Sequence, residues 1–196
     1  MRKILLMCLL ALCSLSSYAQ DKTTLTKDET VNYLGRKIKE IVGHYRKPNG
    51  YNERLYFENT TVSYSDNLLI IDTKRKNLLV DNNNCGYYEL GNTVSFNPKD
   101  IVEIKYEGKN ESEPVGVIKV IFTSQVCKEI LNAYGYKMQN NNGTCYDWRN
   151  TDHQEFSKKE ILIPFLASDS TNFTKIKKAL EHLRDLCKAE DDPFGE

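Results

Sequence analysis

The segment VGVIKVIF, residues 115–122, carries apolar side chains on nearly both faces of an extended chain. A strand that is apolar on both faces is typical of the centre of a covered sheet, where few positions meet water. Two further strands are predicted around it. Residues 101–106 alternate between apolar and charged side chains, and residues 160–166 are apolar around Pro164, which favours an edge strand or a bulge.

Short strand-like runs also fill the chain between residues 54 and 96. The breaks between them are predicted at residues 59–60, at the basic turn 74–76 and at Gly91-Asn92, which has the composition of a tight hairpin. The predicted runs are Arg54–Glu58, Thr61–Ser65, Leu68–Asp72, Asn77–Asp81, Gly86–Leu90 and Thr93–Phe96.

A helix is predicted at each end of the sheet. Thr26 and Glu29 have the spacing of a capping box, and the apolar stripe that follows is expected to end at residues 47–50. The second helix is predicted over residues 172–188, with Cys187 on its apolar stripe as a buried small hydrophobe. Short connections favour antiparallel pairing. The fold class is therefore α+β: a strongly bent antiparallel sheet or partly open barrel of about seven strands, with an N-terminal helix and a C-terminal capping helix.

Residues 1–19 have the features of a secretory signal peptide: a basic start, a short apolar run and a small residue at each side of Tyr18. Leu12 precedes Cys13 where lipoprotein processing requires a small side chain, so a lipoprotein form is not expected. Residues 20–196 are expected to form a single α+β domain, exported to the periplasm or the outer cell surface.

Composition narrows the classes of partner. The chain has 27 basic and 27 acidic residues, and loss of the leader would remove Arg2 and Lys3. This balance does not predict a nucleic-acid binder. No later apolar run is long enough to predict a transmembrane segment.

The stretch QNNNGTCYDWRNTDHQE, residues 139–155, collects side chains that could perform chemistry. A Cys145/His153 dyad would give a thiol nucleophile with its base, but no nucleophile signature surrounds Cys145. Asn and Gly at its start favour a polar loop within a long excursion, residues 123–159. In that loop we expect Tyr146, Trp148 and Arg149 to contact a ligand, because amphipathic aromatic rings suit recognition.

Four cysteines follow the leader, namely Cys85, Cys127, Cys145 and Cys187, and three pairings are possible. A Cys127–Cys145 disulfide is favoured because it would close the base of the excursion. No metal site is predicted. The histidines lack zinc spacing, and the calcium-loop pattern at residues 81–86 has Asn92 where a glutamate is needed.

The chain resembles uncharacterised exported proteins of Bacteroidetes-type bacteria. The matching segments are LTKDETVNYLGRKIKEIV near the start, NPKDIVEI in the middle and KKALEHLRDLCKAEDDPF at the end. The order of elements is also similar to the pleckstrin-homology-like (PH-like) plan, with a helix-grip arrangement as the alternative because of the N-terminal helix. This resemblance implies a fold rather than an activity, and no functional residue carries over.

Together these observations predict a noncatalytic exported binding or interaction module, with no cofactor. Its ligand could be a protein, a peptide, a glycan or a lipid, bound at the concave face of the sheet and the 123–159 excursion. Two alternatives stay open. One is a small thiol-dependent hydrolase that uses Cys145 and His153. The other is a periplasmic lipid-binding protein with a cavity between the sheet and the C-terminal helix.

Overall fold

The computed structural model describes residues 25–47, 53–79, 87–108, 113–139 and 145–191. The predicted signal peptide at 1–19 and the calcium-like pattern at 81–86 lie outside these residues. In chain order the elements are helix α1 (Lys27–Lys39), strands β1 (Tyr45–Arg46), β2 (Glu53–Ser65), β3 (Leu68–Leu79) and β4 (Tyr87–Phe96), a 3-10 turn (Pro98–Asp100), strands β5 (Ile101–Gly108), β6 (Val115–Phe122), β7 (Cys127–Gln139), β8 (Cys145–Lys158) and β9 (Glu160–Leu166), and helix α2 (Asn172–Asp191).

The strands form two antiparallel sheets. The large sheet has the order β1-β2-β3-β4-β7-β8, and the small sheet has the order β5-β6-β9. The predicted central strand is confirmed, because β6 pairs with β5 on one side and with β9 on the other. Pro164 lies on β9, an edge strand of the small sheet, as predicted from its missing N–H.

The three predicted breaks between residues 54 and 96 are wrong. Residues 59–60 follow a register shift inside β2, residues 74–76 lie within β3, and Gly91-Asn92 lies within β4. The chain reverses instead at Asp66 and Asn67, whose φ angles of 53° and 62° are those of a two-residue hairpin turn. Three long strands, β2, β3 and β4, therefore replace the six short runs predicted between residues 54 and 96.

The predicted excursion 123–159 is also corrected. Most of it is a long hairpin in which β7 pairs with β8, and β8 forms an edge of the large sheet. The stretch 139–155 is therefore mainly strand rather than loop. Its polar composition is compatible with an edge strand, where side chains and one row of backbone groups meet water.

The helix starts follow the sequence more closely than the helix ends. The capping box is confirmed: Thr26 Oγ1 accepts a hydrogen bond from the Glu29 N–H, and the Glu29 carboxylate accepts one from the Thr26 N–H at 2.8 Å. Helix α1 ends at Lys39, earlier than predicted, because Gly43 with a φ of 83° turns the chain toward β2.

Helix α2 continues to Asp191, past its predicted end at residue 188. Acidic residues at a helix C-terminus oppose the helix dipole. Here Glu190 and Asp191 are each held by a lysine from elsewhere in the chain: Lys27 Nζ lies 2.5 Å from Glu190 Oε2, and Lys99 Nζ lies 2.7 Å from Asp191 Oδ2. These ion pairs offset part of the unfavourable interaction of the two acids with the helix dipole.

The main core is shared by both sheets and both helices. Helix α1 packs against β2 and against α2, and α2 covers the 3-10 turn and part of β5. The side chains at most 1 % exposed include Leu34, Ile38, Leu69, Phe96, Ile118, Phe122, Ile163, Ile176, Leu180 and Leu183. Cys187 is buried on the stripe of α2 as predicted.

The protein is thus α+β, with antiparallel sheets between an N-terminal and a C-terminal helix, as the sequence predicts. The described strands number nine in two open sheets, not about seven in one bent sheet or partly open barrel. Among the described residues, neither helix has the length and apolar character needed to cross a membrane.

Substitution of Gly116 by alanine is expected to destabilise the protein. A Cβ at this position would lie 2.8 Å from Phe165 Cε1 and 3.0 Å from Ala167 Cβ, so the small sheet has no room for it. We expect a loss of about 1–3 kcal/mol in the free energy of unfolding, measured by denaturant titration.

Gly35→Ala is the matched control. Its added Cβ would meet Val62 Cβ at 3.7 Å, an ordinary contact, inside helix α1. Because glycine weakens a helix interior, this change should stabilise the protein by roughly 0.5–1 kcal/mol. Equal effects of the two substitutions would contradict the packing described for the small sheet.

Candidate functional site

A cleft of about 570 Å³ lies between the two sheets. Its volume is within the usual range of ligand pockets, about 300–1,000 Å³. Strands of both sheets supply its walls, which are formed by Arg46, Leu55, Phe57, Thr73, Arg75, Asn92, Val117, Gln125, Glu129, Leu131, Ser157, Lys158, Lys159, Glu160, Ile161, Leu162 and Pro164. We call this space the inter-sheet cleft.

The inter-sheet cleft has a mixed lining of apolar and polar side chains and a charged mouth. Leu55 and Leu131 are half-buried and present apolar surface to the space, whereas Phe57, Val117 and Ile161 are almost completely buried behind it. Lys159 and Glu160 are exposed and mark its opening to solvent. A molecule that enters would therefore bury its apolar part against both sheets while its polar part stays near water.

A polar row crosses the inner face of the large sheet beside this interior. Thr60 on β2 is opposite Thr73 on β3, and Thr73 is opposite Asn92 on β4. Residues directly opposite one another in an antiparallel pair share a face of the sheet. Thr73 and Asn92 line the inter-sheet cleft, whereas Thr60 is buried next to it. We call these three residues the polar row.

Two oxygens of the polar row are buried without a hydrogen-bond partner among the described residues: Thr60 Oγ1 and Asn92 Oδ1. The Asn92 amide is held in one orientation because its Nδ2 donates to Glu129 Oε1 at 3.1 Å. Its Oδ1 must therefore remain an acceptor. A buried acceptor without a donor costs about 1–3 kcal/mol, so a water or a ligand that donates a hydrogen bond would be stabilised here.

Glu129 is the half-buried acid of the site. Its carboxylate binds the Lys158 ammonium of β8 as well as the Asn92 amide. The Glu129 side chain is 13 % exposed, whereas that of Lys158 is 42 % exposed. The pair thus bridges the interior of the cleft and its mouth, and its own charge is balanced.

The predicted ligand residues Tyr146, Trp148 and Arg149 lie on β8 rather than in a loop. Trp148 is opposite Tyr136, and Tyr146 is opposite Met138. Their side chains lie outside the described part of the structure, so their role stays a prediction. Strand β8 contributes to the inter-sheet cleft through its other end, at Ser157 and Lys158.

The structure does not bring Cys145 and His153 together. They lie eight positions apart on one strand, about 26 Å at the usual rise per residue. A nucleophile and its base need hydrogen-bond distance. The His153 ring instead lies with Nδ1 2.7 Å from Asn132 Oδ1 and Nε2 3.4 Å from Glu155 Oε1, in an exposed position.

The register of β7 and β8 shows that the predicted Cys127–Cys145 disulfide is wrong. Cys127 is opposite Lys158 at one end of the β7–β8 hairpin, and Cys145 is opposite Gln139 at the other. This separation along the hairpin is far beyond the Cα–Cα distance of about 4.4–6.8 Å that a disulfide spans. Cys127 is a free, buried thiol.

The predicted cavity between the sheet and the C-terminal helix is wrong in its position. The inner side chains of α2, including Ile176, Leu180 and Leu183, are 0 % exposed within the main core. Residues from α2 do not line the inter-sheet cleft. The space that could hold a ligand therefore lies between the two sheets, on strands alone.

Sequence reasoning misplaced two polar residues of the cleft because they resemble turn residues. The sequence predicts Arg75 in a basic turn and Asn92 in a hairpin turn, yet both lie within long strands and line the cleft. The predicted excursion did contain Glu129, Leu131 and Lys158, although not as the ligand residues. A useful signal would have been a polar residue flanked at both sides by β-type alternation.

In the described part of the chain, the metal-binding side chains form no group of three or more. Comparison of the chain with known family models, curated proteins and solved structures gave no match.

The thiol of Cys127 is expected to be unreactive in the native protein. Burial, together with the nearby Glu129 carboxylate, raises the pKa of the Cys127 thiol to about 12, so almost no thiolate forms at pH 8. Iodoacetamide labelling at pH 8, followed by peptide mass spectrometry, should leave Cys127 unmodified. Labelling in guanidinium chloride should then modify it. Rapid native labelling, or recovery of Cys127 in a disulfide, would contradict the structure.

Proposed function

We propose that this protein is a noncatalytic exported binding module whose ligand occupies the inter-sheet cleft. One observation carries the proposal: a space between two sheets, lined in part by Leu55 and Leu131, lies beside Asn92 Oδ1, a buried acceptor without a partner among the described residues. Ligand pockets typically combine apolar walls with a few polar groups that orient the ligand. The inter-sheet cleft has apolar wall residues and a polar group of this kind.

The walls favour a small molecule over a folded partner. Phe57, Val117 and Ile161 lie deep between the sheets, where a protein surface could not reach them without separation of the sheets. A single chain or a small ring system could enter from the exposed mouth at Lys159 and Glu160. Among the partner classes predicted from the sequence, this geometry supports a lipid-like small ligand.

The cleft is built for preorganised binding. Its walls are strands that continue into the main core: β3 from Thr73 to Leu69, and β6 from Val117 to Phe122. A site on rigid elements loses less conformational entropy when a ligand binds than a site on loops. The ligand would therefore bind without a large rearrangement of the backbone.

The exported location and the finer fold belong to the same proposal. The leader-like residues 1–19 support export. An antiparallel sheet accompanied by a C-terminal helix supports a PH-like arrangement, with helix-grip as the alternative because of α1.

Binding can be tested with a neutral apolar probe, N-phenyl-1-naphthylamine, whose fluorescence rises in apolar surroundings. We expect saturable binding to the wild-type protein. Leu131 lines the cleft on β7, so Leu131→Trp should fill the space that the probe occupies. The probe would then lose apolar contact area at a cost on the order of 1–2 kcal/mol, which should weaken its binding about tenfold or more.

Val102→Trp is the control. Val102 is 54 % exposed on β5 and lies away from the cleft, so the added ring should leave the affinity unchanged. Circular dichroism and thermal unfolding would verify that both variants are folded. Absence of probe binding, or equal affinity of wild type and a folded Leu131→Trp variant, would contradict the proposal.

A further inference from the structure

We infer that the inter-sheet cleft selects a neutral amphipathic molecule that donates one hydrogen bond, from a hydroxyl or an N–H group, to Asn92 Oδ1. The inference rests on the proposed function and adds the chemical class of the ligand. Three features of the site carry it: an amide whose orientation is fixed, an acid whose charge is balanced, and accessible apolar side chains beside the amide.

The Asn92 amide can offer only its oxygen to a ligand. Asn92 Nδ2 donates to Glu129 Oε1 at 3.1 Å, and the reversed amide would place its oxygen against the same carboxylate. Oδ1 is buried and has no hydrogen-bond partner among the described residues. An ether, a carbonyl or a carboxylate would meet Oδ1 as a second acceptor, so the amide favours a ligand that donates.

The charge beside the amide is already balanced. Glu129 forms an ion pair with Lys158 of β8, and both side chains line the cleft. An ionised group of either sign would lose its hydration next to a pair that is already neutral, at a large cost. A neutral donor does not incur this cost.

Accessible apolar side chains lie on both walls of the cleft. Leu131 on β7 is directly opposite Asn92 and shares its face of the large sheet. Leu162 and Pro164 of β9 belong to the small-sheet wall. Leu131 and Pro164 are half-buried and Leu162 is 48 % exposed, so all three offer surface that the apolar part of a ligand can cover.

One neutral donor can be buried at Asn92 because Oδ1 replaces the water that the donor loses. The same hydrogen bond removes the cost of leaving Oδ1 without a partner. Since Oδ1 is buried in the unliganded protein, the donor reaches it only after an adjacent side chain shifts, while the strands keep their places. Strongly hydrated groups of the ligand stay at the mouth, near water.

The class can be tested by displacement of N-phenyl-1-naphthylamine with two isomers, 1-octanol and heptyl methyl ether. They have the same atoms and a similar apolar length, but only the alcohol donates a hydrogen bond. We expect octanol to displace the probe at about fivefold lower concentration than the ether, as for one hydrogen bond to a buried acceptor. The ratio of the two concentrations does not depend on the affinity of the probe, which has an N–H group of its own.

Two variants locate the preference for octanol. Asn92→Leu removes the acceptor, and Glu129→Leu releases the amide so that its oxygen or its Nδ2 can meet the ligand. Both should bring the ratio close to one. The matched control is Thr93→Val. Thr93 follows Asn92 on β4 with its side chain on the opposite face, where its hydroxyl donates to Asp72 Oδ1 at 2.6 Å, so its loss should leave the ratio unchanged.

The outcomes separate the two proposals. Equal displacement by octanol and the ether, as expected if Oδ1 holds only a water, would overturn the donating ligand and leave the binding cleft standing. A preference for octanol that persists in a folded Asn92→Leu variant would do the same. If circular dichroism shows that Asn92→Leu is unfolded, Glu129→Leu provides the comparison. Failure of the probe to bind, or binding that a folded Leu131→Trp variant does not weaken, would overturn the cleft itself.

Discussion

The structure depends on how far two sheets can close over one another. At one end of the large sheet the inner face is apolar, and Leu69, Ile71 and Phe96 pack against the small sheet and the helices. Farther along the same strands the inner face becomes polar at Thr73 and Asn92. Close packing there would leave polar groups in an apolar contact, which is costly. The sheets therefore share a core at one end and leave a cleft at the other.

The helices stabilise the closed end and leave the strands to form the site. Helix α1 is fixed at its start by a capping box, and the C-terminal turn of α2 is held by Lys27 and Lys99. These contacts connect distant parts of the sequence around the core. The cleft residues are thereby held on strands that are anchored in the core, which is the arrangement that precise ligand recognition requires.

The parts of the fold that were predictable are those with local periodicity. Residues 115–122 and 160–166 were recognised as strands because their apolar pattern does not depend on partners, and the helix starts were recognised through Thr26 and through the stripe of α2. The missed parts have nonlocal causes. Arg75 and Asn92 looked like turn residues because a polar side chain inside a strand makes sense only when a cleft faces it. Similarly, residues 145–158 form an edge strand because they pair with β7, and their polar composition gives no sign of that pairing. Local reasoning therefore recognised the strands of the small sheet that line the cleft, and it misplaced the polar residues of the large sheet that face them.

A crystal structure of the protein with bound N-phenyl-1-naphthylamine would test the central claim most directly. Our account predicts electron density for the probe between the two sheets, in contact with Leu55 and Leu131 and close to Asn92. The backbone of both sheets should match the unliganded protein. Density for the probe elsewhere, for example along β8 near Trp148, or sheets that close over the polar row without a space between them, would contradict the account.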